Sequence, residues 1–186
     1  MGLPQPTTRF SAEDYLAWEL EQPSRHEFFH GEVFAMVGAS RRHVTVAVNL
    51  VSALDQALED TPCRAYMSDM QLQARPDEAY FYPDVLVTCD PDDHRAERLV
   101  RAPILVIEVI SPSTASFDRG EKFAAYRRIR SLREFVLVDP ERRSIELFRR
   151  ADDDVWELRD IAPDQPLELT SLDVEIPVGR IFRNLD

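Results

Sequence analysis

Residues 103–139 read PILVIEVISPSTASFDRGEKFAAYRRIRSLREFVLVD. Two short apolar runs, PILVIEVI (103–110) and REFVLVD (133–139), enclose a helix-forming segment. Both runs are rich in β-branched residues and bounded by Pro or polar residues, which is how strands at the centre of a sheet read. Between them, Asp118 stands where an acidic side chain suits a helix N-terminus. Phe123, Tyr126 and Ile129 recur at helical spacing, which predicts a helix over 117–130. The hydroxyls of Ser111, Ser113 and Thr114 read as a loop capping that helix, because no Gly-x-Ser-x-Gly elbow surrounds them. A strand, a helix and a strand in this order predict a sheet with the helix folded back over it.

Working outward, Ser11 and Asp14 resemble a capping box and open a short helix over 11–21. HEFF and EVFAMV form a hairpin within 25–37, with His30-Gly31 at the turn. Ser40 is the N-cap of a helix over 41–59 whose apolar residues repeat at helical spacing. His43, near that start, reads as a capping or surface residue. CRAYMSDMQLQAR (63–75) alternates like one half-buried strand, and AYFYPDVLVT (79–88) reads as a central strand. The polar stretch 89–102 is a surface loop with one helical turn. Downstream, a turn at Pro140-Glu141-Arg142 leads into SIELFRR (144–150) and VWELRDI (155–161), a meander. Residues 178–182 form a last helical turn. The sum is an α+β fold in one domain over residues 1–186. A mixed central β-sheet is flanked by helices, with an N-terminal helix and hairpin and a C-terminal meander.

With 186 residues, 44% of them hydrophobic, the chain suits one globular domain rather than two. It has no apolar run long enough for a membrane span, and its start does not read as a secretory leader, so neither a leader nor a membrane partner is expected. Two cysteines, Cys63 and Cys89, cannot make a disulfide framework or a Cys-rich zinc site, and a reducing, cytoplasmic setting is the simplest reading. His26, His30 and His94 have no partner spacing for zinc. The net charge of −12 argues against nonspecific coating of polyanions. It is unevenly spread: residues 151–177 hold nine acidic groups and one basic, whereas 119–133 hold six basic and one acidic. A local phosphate-facing strip therefore remains open. Of 22 basic residues, Lys122 alone is lysine. An ammonium is a compact point charge, unlike the guanidinium fork, so Lys122 is a candidate for a role that Arg cannot fill.

Asp84 and Glu108 are acidic residues set in otherwise apolar strands. A buried carboxylate costs several kcal/mol unless it is paired or binds a cation. Two of them on neighbouring strands would suit a hard divalent cation such as Mg²⁺. Glu108 shares a strand face with Val106 and Ile110, because the side-chain period is two. Lys122, with Tyr126 four residues on, lies at the edge of the helix's buried stripe and can lean toward the Glu108 strand along its apolar stem.

These elements resemble the Uma-type restriction-endonuclease family of the PD-(D/E)XK nuclease superfamily. The ordered set is YPDVLV, then EVISPST, then DRGEKFAAY; HEFFHGEVFAMVGAS and YMSDMQLQA extend it upstream. The resemblance covers about residues 10–150. It implies a restriction-endonuclease-like core and a metal-dependent endonuclease acting on DNA with Mg²⁺ (or Mn²⁺). Asp84 and Glu108 would be metal ligands, with the Val109 carbonyl as a further one and Lys122 assisting catalysis. Glu32 matches the family's first acidic position and joins the catalytic set. Gln71 and Tyr126 fall near the expected site, and Arg127 and Arg128 within 127–133 would contact backbone phosphates. The superfamily's usual lysine position, two after the Glu, is Ile110 here; Lys122 would be its migrated equivalent. The resemblance also implies a homodimer or higher homo-oligomer. Two other readings stay open: an inactive nuclease-fold binding or assembly module, and a metal-dependent phosphoesterase on a small substrate.

Overall fold

The computed structural model describes residues 9–111 and 115–186. Helix α1 (Ala12–Glu19) is capped by Ser11, whose hydroxyl accepts from the Asp14 backbone N–H. It precedes the hairpin β1 (His26–Phe29) and β2 (Glu32–Ala35). His30 and Gly31 both adopt positive φ at the turn, the geometry that matches the twist of the flanking strands. Helix α2 (Arg41–Ala57) is capped by Ser40. Then follow β3 (Arg64–Met67), β4 (Gln71–Arg75), β5 (Ala79–Phe81), β6 (Val85–Thr88), α3 (Pro91–Arg95), β7 (Leu99–Val100) and β8 (Pro103–Val109).

The connection after β8 differs from the continuous helix that the spacing predicts. Helix α4 (Ala115–Phe117) passes into a π-helical turn (Asp118–Lys122) and then α5 (Phe123–Tyr126). The cap expected at Ser113 and Thr114 lies outside the described residues. Strands β9 (Glu134–Asp139), β10 (Ser144–Arg150) and β11 (Trp156–Ile161) form the expected meander. The hairpin β12 (Pro166–Leu169) and β13 (Val174–Pro177) and the turn α6 (Val178–Ile181) complete the chain. That hairpin carries an acid-rich sequence, which masks the apolar alternation of Leu167, Leu169, Val174 and Ile176.

Among the described residues the strands form three sheets, with orders β2-β1-β5-β4-β7, β11-β10-β9-β8-β6-β3 and β12-β13. Both segments read as single strands are divided between the two larger sheets. CRAYMSDMQLQAR breaks at Ser68, which takes a φ of 51° and turns the chain from β3 to β4. AYFYPDVLVT breaks around Pro83, which has no N–H to give to a ladder, so β5 ends in one sheet and β6 begins in the other.

The six-stranded sheet is apolar on both faces. Val85, Val87, Leu105, Ile107, Val109, Val136, Val138, Ile145 and Leu147 pack against α2, β12, β13 and α6. Leu86, Val106, Ile110, Phe135 and Leu137 face the other way, toward β4, β5 and α5. A smaller cluster packs Tyr15 of α1 on Phe28, Val33 and Tyr80. Glu108 shares the second face with Val106 and Ile110, so it looks into the space between the two large sheets. No helix of the described residues is long and apolar enough to cross a membrane. Cys63 and Cys89 are joined as a disulfide, one step beyond the registered pair Arg64↔Thr88.

Candidate active site

Asp84 stands immediately before β6, where the chain crosses between sheets. Val85 pairs with Ile107, so the next step of the register sets Asp84 beside Glu108 on the same face. Asp84 is fixed from two sides: one oxygen accepts from the Val109 backbone N–H at 2.8 Å, and the other meets His43 Nε2 at 2.8 Å. His43 reaches it from the first turn of α2. Its backbone N–H is capped by Ser40 Oγ, so its residue serves the helix start and its ring serves the site. Burial works against protonation of the ring, but the hydrogen bond and charge of Asp84, helped by Asp118, raise its pKa overall.

Glu108 is buried in the middle of this face. Its Oε1 accepts from Tyr126 Oη at 2.7 Å and from Lys122 Nζ at 3.2 Å. Lys122 Nζ also lies 2.8 Å from Glu27 Oε1 and 3.6 Å from Asp118 Oδ1, and sits over the Phe81 ring at 5.4 Å. Asp118 and Lys122 bound the π-helical turn, a local widening of the helix of the kind often found at functional sites. Glu27 also accepts from the Tyr82 backbone N–H.

Burial pushes the Glu108 carboxyl well above the usual carboxylate range. Lys122 opposes that push, and Asp118, Asp84 and Glu27 add to it. Burial alone would discharge Lys122, yet Glu108, Glu27 and Asp118 together hold it well above its ordinary value, as an ammonium. Four acids, one of them with its pKa raised by burial, thus face one ammonium and one imidazole.

These groups line a cavity of about 500 Å³. Glu27, His43, Asp84, Glu108, Asp118 and Lys122 form its polar wall, and Val109 lines it too. Phe34, Met36, Val37, Val44 and Met67 form an apolar side. The set includes carboxylate oxygens, the kind of donor that suits a hard divalent cation. Among the described residues, no three His, Cys, Asp or Glu side chains are yet gathered to hold a metal ion.

The candidates read from sequence separate into two groups. Asp84, Glu108, Val109, Lys122 and Tyr126 come together. Glu32 does not: it is exposed at the turn end of the hairpin, opposite Phe29, and does not line the cavity. Glu27, two hairpin positions deeper, takes the place beside Lys122. Gln71 is buried in a neighbouring network, donating to Tyr15 Oη at 2.8 Å and Tyr82 Oη at 3.2 Å. Arg127 and Arg128 are exposed beyond the end of α5, outside the cavity wall. Three wall residues escaped the sequence reading. Glu27 carried the same signal as Glu108, an acid within an apolar strand. Asp118 stands four residues before Lys122. His43 has no local signal, since its partner is 41 residues away.

Comparison with known proteins agrees with this architecture. An uncharacterised protein of Synechocystis sp. (strain ATCC 27184 / PCC 6803 / Kazusa) is 36% identical over 180 residues, covering 97% of this chain and 95% of its own. A second from the same organism is 33% identical over 157 residues, covering 83% and 89%. A solved structure, "a putative nuclease belonging to DUF820" from Anabaena variabilis ATCC 29413, superposes with a TM-score of 0.78 at 17% identity. It covers 95% of this chain and 99% of that one, and so shares the fold. Residues 12–179 match the Uma2 family, described as "Putative restriction endonuclease", and the chain belongs to that family.

Proposed function

We propose that this protein is a Mg²⁺-dependent endonuclease that hydrolyses DNA phosphodiester bonds, with Mn²⁺ able to replace Mg²⁺. The observation that carries the reading is the meeting of Asp84, Glu108 and Lys122, from two strands and a helical turn, on one cavity wall. Membership of the restriction-endonuclease family and the nuclease description of the Anabaena fold relative support it.

Asp84 and Glu108 would hold the metal, with the Val109 carbonyl as a further donor. When bound, the ion supplies Lewis acidity toward a phosphoryl oxygen and lowers the pKa of a water. The protein's own groups do the positioning. His43 and the Val109 N–H stop the Asp84 carboxylate from rotating. Tyr126 fixes Glu108 in the same way. Lys122, held charged by its acids, offers positive potential to the scissile phosphate, a stabilisation that strengthens where water is excluded. Arg127 and Arg128 would meet backbone phosphates away from the reacting one.

Incubation of purified protein with plasmid, single-stranded and branched DNA in Mg²⁺ or Mn²⁺ tests the reading. Divalent-dependent cutting is expected, abolished in Asp84→Ala and in Glu108→Ala. Lys122→Met should lower cutting by about 10²–10³-fold, the scale of one lost electrostatic donor. The lodging of Lys122 among three acids favours a second reading, a binding module of nuclease fold. Absence of cutting on all three substrates, together with no calorimetric Mn²⁺ binding by folded protein, would decide for that module.

A further inference from the structure

The six-stranded sheet ends at β11, whose outer edge has no strand beside it among the described residues. Of its six residues, Glu157, Leu158, Arg159 and Asp160 are exposed, and the two end residues are half-buried. Such an edge presents a row of unpaired backbone N–H and C=O groups to any strand that can match it. Its side chains decide which strand can.

The pairing with β10 sorts β11 into two faces. Trp156 and Leu158 stand opposite Arg150 and Phe148. They continue the apolar layer in which Phe123 packs on Phe148 at 4.5 Å and on Trp156 at 5.5 Å. Leu158 extends this layer to the sheet's boundary and remains 55% exposed. Glu157 and Arg159 lie on the opposite face, 2.9 Å apart as an ion pair with both side chains about half exposed.

We propose that β11 is a self-pairing edge, and that its partner is the β11 strand of a second copy of this chain, joined antiparallel about a two-fold axis through Leu158. A two-fold axis normal to the sheet keeps each residue on its own face, so only residues of like face meet. Centring on Leu158 sets Leu158 against Leu158 and joins the two apolar layers there, with Trp156 opposite Asp160 of the second copy on either side. On the other face Glu157 meets Arg159 of the second copy, twice. Registers centred on the charged residues of the strand fail. Centring on Glu157 opposes two carboxylates, centring on Arg159 opposes two guanidiniums, and centring on Asp160 opposes two carboxylates again. Like charges directly opposite are destabilising, and opposite charges stabilise. The charges of β11 thus favour a second copy in the register that pairs Glu157 with Arg159. The result is a continuous sheet running through both subunits, and it stands independently of the metal reading.

Sedimentation velocity across the micromolar range, with circular dichroism to verify folding, tests it. Wild type should reach twice the 21.4 kDa chain mass. Arg159→Glu and Glu157→Arg should each weaken the dimer by about tenfold or more, since each makes two like-charge oppositions. The double variant Glu157→Arg/Arg159→Glu restores complementarity in the same register and should dimerise again. A monomeric wild type, folded single variants that dimerise as well as wild type, or a folded double variant that stays monomeric would each overturn the proposal.

Discussion

Lys122 Nζ lies 2.8, 3.2 and 3.6 Å from three carboxylates on a strand of one sheet, a strand of another and its own helical turn. A compact ammonium can point at three acids spread around it, whereas a planar guanidinium matches one carboxylate edge-on. That is the physical reason a lysine stands here in a chain otherwise furnished with arginine. Beside this cluster, Tyr82 and Tyr15 belong to a second buried network with Glu19, His26 and Gln71. Burial first, then the neighbouring acidic groups, raise the pKa of both phenols far above the ordinary value. An acid whose folded pKa is raised stabilises the fold below its unfolded pKa, about 10 for tyrosine, and loses that contribution as pH climbs beyond it. Phenolate absorbance during alkaline titration should show Tyr15 and Tyr82 ionising only as the chain unfolds. Ordinary titration of all five tyrosines in folded protein would contradict the network.

At the scale of elements, the site depends on strands that change sheets. Ser68 and Pro83 divide two apparent strands into four, and Asp84 sits at the second division. The π-helical turn then brings Asp118 and Lys122 together at the same cavity wall. The Cys63–Cys89 bond ties edge strand β3 to β6 at the end of the pair away from Asp84. Closing a loop with a sequence separation of 26 should contribute about 3–4 kcal/mol by chain entropy. Thiol titration of unreduced, denatured protein should find no free thiol, and reduction should lower the melting temperature. The double variant Cys63→Ser/Cys89→Ser should melt like reduced wild type.

At the scale of the whole molecule, the −12 net charge and the acids on the cavity wall act in the same direction. Both favour binding of small cations. If Asp84 and Glu108 hold a divalent ion, Mn²⁺ at a hundred times its dissociation constant should stabilise the fold by about 2.7 kcal/mol. A thermal shift with Mn²⁺ in wild type, lost in Asp84→Asn, is the expected outcome; equal shifts in both would place the ion elsewhere. Local periodicity suffices for the class of the fold, the hairpin at His30-Gly31, helix α2 and the apolar strands around Glu108, because burial of one face imposes its period on neighbouring residues. The cost of an acid in an apolar strand likewise singles out Glu108 from sequence, whereas Asp84, read in the same way, stands just before β6 and is only partly buried. Which sheet each strand joined, the choice of Glu27 over Glu32, the approach of His43 and the join of Cys63 to Cys89 were settled only by tertiary structure. Each depends on groups distant along the chain, and no local pattern encodes which distant surfaces will meet.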